Sequence, residues 1–302
     1  MTHAQIEREA QAARPERSDA RSGSRAPARR FAAAERAIGA REALADCRLC
    51  ARDCRVDRLA GELGLCRAGD RPCVHMAQIE MGEELELIPT FAVALSGCDL
   101  RCAFCIAGAR SWDPGAGEAI PAAALARRAT AALAAGARTV TILGGEPTVH
   151  VPFLLALVAA LPDDAKLVLK TNGYGSAVSR QLLQGLFNVW CIDCKFGNDA
   201  CAARLANAPH YCAVVRENVV WAALHADLIV RHLAMPGHLE CCWQPIAAWL
   251  GKHVPGVKVS LGTGFWPGWQ AHRHQELNRP LSVGEAGRAR AIAIQSGLDL
   301  VE

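Results

Sequence analysis

The sequence lacks a strong charge of either sign. Its 33 Lys and Arg residues nearly balance its 30 Asp and Glu residues, which leaves a formal net charge of +3. Proteins that bind nucleic acid or anionic lipid through electrostatics carry a clustered basic excess. The composition therefore gives no support to binding of RNA, DNA or a membrane surface.

The sequence also lacks a long apolar run and a secretory signal. No apolar run reaches the roughly 18 residues that a membrane-spanning helix needs. The chain nevertheless contains 14 cysteines. In a chain without a secretory signal, so many cysteines are typical of metal ligands and reduced thiols rather than disulfides. We therefore expect a cytoplasmic protein in a reducing compartment, with no membrane segment.

Residues 1–45 are poor in residues that could build a core. Ala, Arg and Glu dominate this region, and Ser18 to Pro27 contains turn-forming residues. We expect a mostly disordered extension that is helical near Phe31 to Leu44. An Arg-rich targeting peptide is the competing interpretation, but the acidic residues of the region argue against it.

Four cysteines follow within twenty residues, at Cys47, Cys50, Cys54 and Cys66, with the spacing C-x2-C-x3-C-x11-C. Glycines before the last of them allow the tight backbone that a metal knuckle requires. Four thiols can close a tetrahedral zinc (Zn2+) site or hold an iron–sulfur cluster, and spacing alone does not decide between them. We interpret residues 46–75 as a metal-binding segment, because so small a segment has little else to stabilise it. Four unligated thiols are the alternative.

Three further cysteines, Cys98, Cys102 and Cys105, stand directly after the apolar run Phe91–Leu95. That run is typical of a buried strand, so the thiols are expected on the loop at its carboxyl end. Iron–sulfur clusters are held by thiolates on short loops, normally four of them. Three thiolates with no obvious fourth would leave one iron open to an external ligand, as in open catalytic metal sites. A zinc site, or no metal, is the alternative.

Helix and strand patterns then alternate through residues 76–302. Strands are predicted at Phe91–Leu95, Val140–Leu143, Lys166–Lys170, Val189–Asp193, Leu228–Val230 and Val257–Leu261, and helices at Pro121–Ala135, Pro152–Ala160, Glu240–Leu250 and Val283–Gln295. Six strands separated by helices predict a parallel α/β sheet. An aromatic loop at residues 264–280 could close over a substrate at its rim.

Candidate binding residues stand at the ends of these strands: Gly144, Gly145, Glu146, Pro147, Lys170, Asn172, Asp193, Lys195 and Arg231. Paired glycines let a backbone approach a ligand closely, and Glu146 offers an acceptor for an ammonium group. Arg231 can bind a carboxylate through two hydrogen bonds. An ordinary turn at Asn172 and ordinary ion pairs of Asp193, Lys195 and Arg231 are the alternatives.

The remaining cysteines give no comparable pattern. Another metal site is one interpretation of four of them, Cys191, Cys194, Cys201 and Cys212. Strand alternation, however, sends Cys191 and Cys194 to opposite faces, so we do not expect one. Cys241 and Cys242 have no ligand spacing, and we expect them to pack at the start of a helix. His232 is interpreted as structural.

The C-x3-C-x2-C spacing with Phe104 between its last two cysteines, followed by Gly144-Gly145-Glu146-Pro147, resembles the radical S-adenosylmethionine (SAM) enzymes. The spacing of the first four cysteines and the sequence Gly82-Glu83-Glu84 add a resemblance to one subgroup. This is the subgroup of pyruvate formate-lyase-activating-enzyme-like proteins with an N-terminal cysteine knuckle.

The resemblance implies an open partial (β/α)6 TIM-type barrel with a small N-terminal cysteine-rich metal-binding knuckle. It implies a [4Fe-4S] cluster on Cys98, Cys102 and Cys105, and SAM near Phe104, Gly144, Gly145, Glu146, Pro147, Lys170, Asn172, Asp193, Lys195 and Arg231. In such enzymes the open iron chelates SAM, and an electron splits SAM to a 5′-deoxyadenosyl radical that abstracts a hydrogen atom. An electron donor such as flavodoxin or ferredoxin is implied as a partner.

Two substrates are compatible with the resemblance, a glycyl-radical protein and a small metabolite. The DGPG-type segment of the glycyl-radical activases is missing here, which keeps biosynthesis of a small molecule or cofactor open. A different class of function is an iron–sulfur or zinc protein that carries electrons or metal and does not cleave SAM. Such a protein would bind a cluster and form no 5′-deoxyadenosine.

Overall fold

The computed structural model describes residues 28–82 and 84–301, and the disorder expected for residues 1–27 lies outside them. One sheet of eight strands forms the core, and its order follows the chain. The strands are β1 (Val74–Glu80), β2 (Thr90–Leu95), β3 (Thr139–Gly144), β4 (Leu167–Thr171), β5 (Val189–Asp193), β6 (Asp227–Leu233), β7 (Lys258–Gly262) and β8 (Asp299–Val301). β1 pairs antiparallel with β2, and every later pair of neighbours is parallel.

Helices connect and cover the parallel strands. They are α1 (Arg29–Glu42), α2 (Ala109–Trp112), α3 (Ala122–Ala134), α4 (Val151–Ala160), α5 (Ala177–Leu183), α6 (Asp199–Ala206), α7 (Tyr211–His225), α8 (Gln244–His253) and α9 (Val283–Gln295). None of these described helices is both long and apolar enough to span a bilayer.

The central strands are buried on both faces. Every residue of β2 and of β4 is buried, as is typical of parallel strands that are covered by helices or by a filled barrel interior. The α/β class with a partial TIM-type barrel is thereby confirmed. Two strands were not predicted: β1, which runs antiparallel at the edge, and β8, which has only three residues.

Helix α1 packs onto the barrel. Its Ala33 and Ala40 are almost completely buried. The Arg29 side chain donates a hydrogen bond of 2.7 Å to the carbonyl of Pro162, and Arg36 donates one of 3.0 Å to the carbonyl of Leu182. A helix near residues 31–44 is therefore present, while the domain boundaries at residues 45 and 75 stay predictions.

The C-terminal helix is fixed at its start and along its length. Ser282 and Glu285 form a reciprocal capping box at the start of α9, which satisfies two amide donors that would otherwise lack partners. The indole of Trp243 donates a 2.8 Å hydrogen bond to the carbonyl of Ala289. Trp243 ends a π-helical turn, Leu239–Trp243, that leads into α8.

Candidate active site at the mouth of the barrel

The loop after β2 carries Cys98, Cys102 and Cys105 to the carboxyl end of the sheet. Cys98 and Cys102 are buried, and Cys105 is half-buried. The end of α6 holds the loop, because the amides of Arg101 and Ala103 donate to the carbonyls of Ala206 and Leu205 at 2.9 and 2.8 Å. The three thiols therefore share one short loop, as the sequence predicts.

The surroundings of these thiols suit metal ligands. Burial raises the pKa of Cys98, and it raises the pKa of Cys102 to about 12. A bound cation would have to displace these protons, since thiolates rather than thiols ligate metals. The Sγ of Cys98 accepts hydrogen bonds from the amide of Leu100 at 3.4 Å and from the Asn172 side chain at 3.7 Å. Hydrogen bonds to sulfur are a known means of tuning iron–sulfur clusters.

Gly144 and Gly145 join β3 to this cysteine loop. A Cβ atom on Gly144 would lie 2.2 Å from the carbonyl oxygen of Leu95, and one on Gly145 would lie 2.0 Å from that of Gly97. The amide of Gly145 donates to Leu95 at 2.7 Å, and that of Glu146 donates to Gly97 at 2.9 Å. The two glycines are thus required by the contact between strand and loop, whatever ligand binds nearby.

Glu146 lies fully buried behind that contact. Its carboxylate accepts hydrogen bonds from the Thr148 amide (3.0 Å), the Thr148 hydroxyl (2.7 Å), the Thr171 hydroxyl (2.7 Å) and the Asn172 amide (2.7 Å). Burial raises its pKa to about 7. Three of these donors bind Oε1, whereas only the Asn172 amide binds Oε2, which therefore keeps an acceptor position. The expected contact of Glu146 with an ammonium group remains a prediction.

Asn172 connects Glu146 to the cysteine loop. Its side-chain amide donates a 2.7 Å hydrogen bond to Oδ1 of Asp99, which is fully buried between Cys98 and Leu100. Burial raises the pKa of Asp99. Asp99 was not predicted as a site residue, although a charged residue inside a cysteine motif is a signal that could have identified it.

Lys170, Asp193, Lys195 and Arg231 meet in one ion-pair network inside the barrel. Arg231 contacts Glu84 (Nε to Oε1, 2.6 Å) and Asp193 (Nη1 to Oδ1, 3.3 Å), and Lys195 pairs with the other oxygen of Asp193. Lys170 lies 3.2 Å from Glu84, and burial lowers its pKa to about 7. Glu84 was not predicted as a site residue, because nothing in its spacing reveals that the barrel brings it to Arg231.

A cavity of about 170 Å³ opens between the network and the cysteine loop. Its lining includes Phe104, Ile106, Asp193, Lys195 and Arg231. Two cationic groups and one carboxylate thus face apolar side chains of the loop that carries the thiols. Such a lining suits a small anionic group, because a guanidinium and an ammonium both bind carboxylates.

The radical SAM superfamily model matches residues 93–249, which include the cysteine loop, the Gly144–Pro147 segment and Arg231. The chain belongs to the radical SAM superfamily. Membership implies a [4Fe-4S] cluster and SAM as cofactors, and ligation of such a cluster by the three thiols of the loop stays a prediction.

Among known proteins, MJ0674 of Methanocaldococcus jannaschii, an uncharacterized protein, is 28% identical over 265 residues, which is 85% of this chain and 76% of the relative. SuiB of Streptococcus suis bound to its precursor peptide SuiA matches with a TM-score of 0.52 and 15% identity over 67% of this chain and 46% of SuiB. SuiB bound to SAM matches with a TM-score of 0.51 and 14% identity, over 67% and 47% of the two chains. The chain therefore spans less than half the length of SuiB, and this likeness shows the fold alone.

The aromatic loop lies against the radical SAM cysteine loop. The amide of Gln270 donates a 2.9 Å hydrogen bond to the carbonyl of Ala103. Phe265 is buried with its ring centroid 6.3 Å from that of Phe104, and Trp269 packs edge-on against Trp112 at 5.4 Å. The segment thus forms one wall around the cysteine loop.

The N-terminal cysteine segment contacts the same loop. Cys47, Cys50 and Cys66 are buried and Cys54 is half-buried. Arg52 donates hydrogen bonds of 3.0 and 2.9 Å to the carbonyl of Asp99. Within residues 28–82 and 84–301, these four thiols do not place three ligand atoms within 4.8 Å of one another. Zinc or a second cluster in this segment remains a prediction.

Cys241 and Cys242 lie in a group that their sequence spacing did not predict, while Cys242 is also buried as expected of a packed residue. The Sγ atoms of both lie close to Cys201 and His238, and the four ligand atoms fall within 4.8 Å of one another. Cys191 is instead buried inside the barrel, and Cys194 and Cys212 belong to the packing around the helices. Sequence spacing failed here because a helix start and a π-helical turn, far apart in the chain, supply the group. His232, by contrast, stacks on Trp243 at 4.6 Å, as a structural residue would.

Proposed function

We propose that this radical SAM enzyme removes a hydrogen atom from a small metabolite that carries a carboxylate. The cavity between the cysteine loop and the pair Lys195 and Arg231 is the observation that carries the proposal. When bound, a [4Fe-4S] cluster on Cys98, Cys102 and Cys105 would supply the electron that cleaves SAM to the radical. Flavodoxin or ferredoxin is the kind of donor that could deliver this electron.

The chain itself would position the reactants and exclude water. Lys195 and Arg231 already share Asp193, so an incoming carboxylate would find two oriented cations rather than two free side chains. Phe104 and Ile106 form the apolar side of the cavity, and Phe265 of the aromatic loop packs against Phe104. An apolar wall of this kind protects a reactive species from unwanted donors. The same cations could hold the carboxylate of SAM, and the experiments below separate the two assignments.

A glycyl-radical protein is the other substrate that the subgroup resemblance suggests. A peptide loop would have to pass the aromatic loop, whose Gln270 amide is hydrogen-bonded to Ala103 and whose Phe265 packs on Phe104. The cations Lys195 and Arg231 of the cavity lining bind a carboxylate, a group that a glycine inside a peptide chain does not offer. These two observations favour the small metabolite.

The assignment of the chemistry is tested by 5′-deoxyadenosine formation. Wild type, Cys98→Ala and Cys212→Ser are reconstituted anaerobically with iron and sulfide and then given SAM and a strong reductant. Product from wild type and from Cys212→Ser, lost in Cys98→Ala, supports the proposal. A full cluster that gives no product and whose EPR spectrum does not respond to SAM would instead indicate a non-catalytic iron–sulfur protein.

The substrate class is tested by removing one cation. In Lys195→Met, SAM cleavage without substrate should persist, while the KM for a carboxylate substrate should rise by about 10-fold or more. Candidate carboxylates are screened by transfer of deuterium into 5′-deoxyadenosine. An equal loss of SAM binding and of substrate-free cleavage would assign Lys195 to SAM. A glycyl radical formed on an added partner protein would overturn the choice of a small metabolite.

A further inference from the structure

Cys201, His238, Cys241 and Cys242 form a compact group away from the cysteine loop. The Sγ of Cys241 lies 3.9 Å from that of Cys201 and 3.8 Å from that of Cys242. Nδ1 of His238 lies 3.6, 3.3 and 3.7 Å from the sulfurs of Cys201, Cys241 and Cys242. All four ligand atoms fall within 4.8 Å of one another.

These distances match the edges of one tetrahedral metal site. Zinc binds sulfur at about 2.3 Å and imidazole nitrogen at about 2.0–2.1 Å, which places neighbouring ligand atoms roughly 3.5–3.8 Å apart around one ion. The five separations given above, 3.3 to 3.9 Å, scatter around that range. A cuboidal cluster would need its thiolates farther apart, because each binds a different iron.

We infer that Cys201, His238, Cys241 and Cys242 bind one zinc ion. Three thiolates and one imidazole are a common ligand set of structural zinc sites, and four protein ligands leave no open position for a substrate. The inference does not depend on the proposed substrate or on SAM cleavage.

The surroundings of the group have the features of a second ligand shell. Nε2 of His238 is buried without a hydrogen bond and faces Oε1 of Glu276 at 3.6 Å. A carboxylate behind a metal-bound histidine fixes the ring and strengthens its ligation. The side-chain amide of Asn198 donates towards Cys201 Sγ at 3.3 Å and Cys242 Sγ at 3.8 Å, which would compensate the net negative charge of three thiolates around one ion.

The backbone brings the ligands together through two short elements. Asn198 caps the start of α6, which places Cys201 in its first turn, and the π-helical turn Leu239–Trp243 presents Cys241 and Cys242 beside His238. π-helical turns occur frequently at functional sites. Gly197 lets the two elements touch, because a Cβ atom there would lie 2.3 Å from the carbonyl oxygen of Cys242.

The zinc ion would connect α8 to the radical SAM loop through α6. One end of α6 carries Cys201, and its other end accepts the backbone hydrogen bonds of Arg101 and Ala103. Fixing the start of α6 therefore restrains the element that holds the cysteine loop. We expect a structural role, with no direct part in the chemistry.

The test measures zinc per chain in the full-length protein. Wild type, Cys241→Ser, His238→Ala and Cys212→Ser are purified under reducing conditions and washed with a weak chelator before elemental analysis. The N-terminal cysteines can contribute zinc of their own, so the informative quantity is the difference between variants. We expect Cys241→Ser and His238→Ala each to lose one zinc per chain, while Cys212→Ser keeps the wild-type content.

Cys241 is the safest ligand to replace, because its residue is exposed. Glu276→Gln adds an independent variant that keeps all four ligands. It should retain zinc but bind it about 10–100-fold more weakly in competition with a chelator. Cobalt in place of zinc should give tetrahedral absorption bands with sulfur-to-metal charge transfer, reduced in Cys241→Ser.

An unchanged zinc content in both ligand variants would overturn the inference. So would iron and sulfide bound at this group, or a Cys201–Cys241 disulfide that persists in protein purified under reducing conditions. Loss of zinc together with normal 5′-deoxyadenosine formation would leave the inference intact. The test is therefore separate from that of the proposed function.

Discussion

The cysteine loop after β2 and the group of Cys201, His238, Cys241 and Cys242 are built in opposite ways. Cys98, Cys102 and Cys105 are close neighbours in the sequence. In the described part of the chain, however, their three sulfur atoms do not all lie within 4.8 Å of one another. Cys201 is far in sequence from His238, Cys241 and Cys242, yet these four ligand atoms do fall within that distance. Closeness in the sequence and closeness in space are thus separate properties.

The difference fits what each group is proposed to hold. A cuboidal cluster spreads its thiolates over different irons, so a loop can space them along the chain. A single ion needs all its ligands around one point, and separate elements of the fold can supply them. Cys98 and Cys102 are buried, and so are His238 and Cys242, so the spacing of the ligand atoms rather than burial distinguishes the two groups.

The largest expected effect comes from removing a thiol of the cysteine loop. Cys102→Ala should lower 5′-deoxyadenosine formation by at least about 100-fold, because loss of a direct ligand exceeds the 10–100-fold typical of outer-shell changes. Reduced iron per chain should accompany it, with zinc unchanged. Cys212→Ser serves as the matched control. Loss of zinc in Cys102→Ala would mean that the two groups do not act separately.

Gly145→Ala should push the end of β3 away from the cysteine loop while leaving the three cysteines unchanged. Its Cβ atom would meet the carbonyl oxygen of Gly97 at 2.0 Å, and backbone cannot move aside as a flexible side chain can. We expect a loss of about 2–3 kcal/mol in the free energy of unfolding and weaker iron binding. Gly264→Ala is the control, because nothing lies within 4 Å of that position. Equal effects at both glycines would contradict the packing argument.

The sequence revealed the cysteine loop and most of the barrel because both rest on local patterns. Apolar runs marked β2 to β7, and the last helix was predicted with the bounds Val283–Gln295 that it has. β8 was not predicted, because a strand of three residues shows no periodic pattern. Glu84 and the group of Cys201 were not predicted from the sequence, because only the fold brings these distant residues together. His238-x2-Cys241-Cys242 was the one local signal that could have pointed to the second group.

Gly197→Ala should disturb the group of Cys201, His238, Cys241 and Cys242 through a similar backbone clash, with a smaller loss of stability than Gly145→Ala. Its Cβ atom would lie 2.3 Å from the carbonyl oxygen of Cys242, which separates α6 from the π-helical turn. We expect a loss of about 1–2 kcal/mol in the free energy of unfolding, together with loss of one zinc per chain. Elemental analysis and urea unfolding measure both. Iron loss exceeding zinc loss would show that the strain acts on the cysteine loop instead.

The smallest effect should be a dependence of the unfolding free energy on pH. It comes from His150, a buried histidine that is hydrogen-bonded next to the cysteine loop. His150 donates from Nε2 to the carbonyl of Ser96 at 2.7 Å, and burial lowers its pKa from the ordinary 6.5 to about 3. Between these values the unfolded chain binds the extra proton, so stability is lost as the pH falls below about 6.5. One such histidine removes about 1 kcal/mol between pH 6.5 and 5.5.

His150→Gln keeps a donor for Ser96 and removes the titration. Anaerobic urea unfolding at pH 6.5 and 5.5 should therefore show a loss about 1 kcal/mol smaller in the variant than in wild type. His232, whose pKa burial lowers to about 4, offers the matched comparison beside the cavity. Because both histidines are neutral when folded, His232→Gln should reduce the acid loss by a similar amount. An unchanged slope in both variants would contradict the prediction and would assign the acid sensitivity to other groups, such as His75, whose pKa burial also lowers, or metal ligands, whose protonation releases the ions.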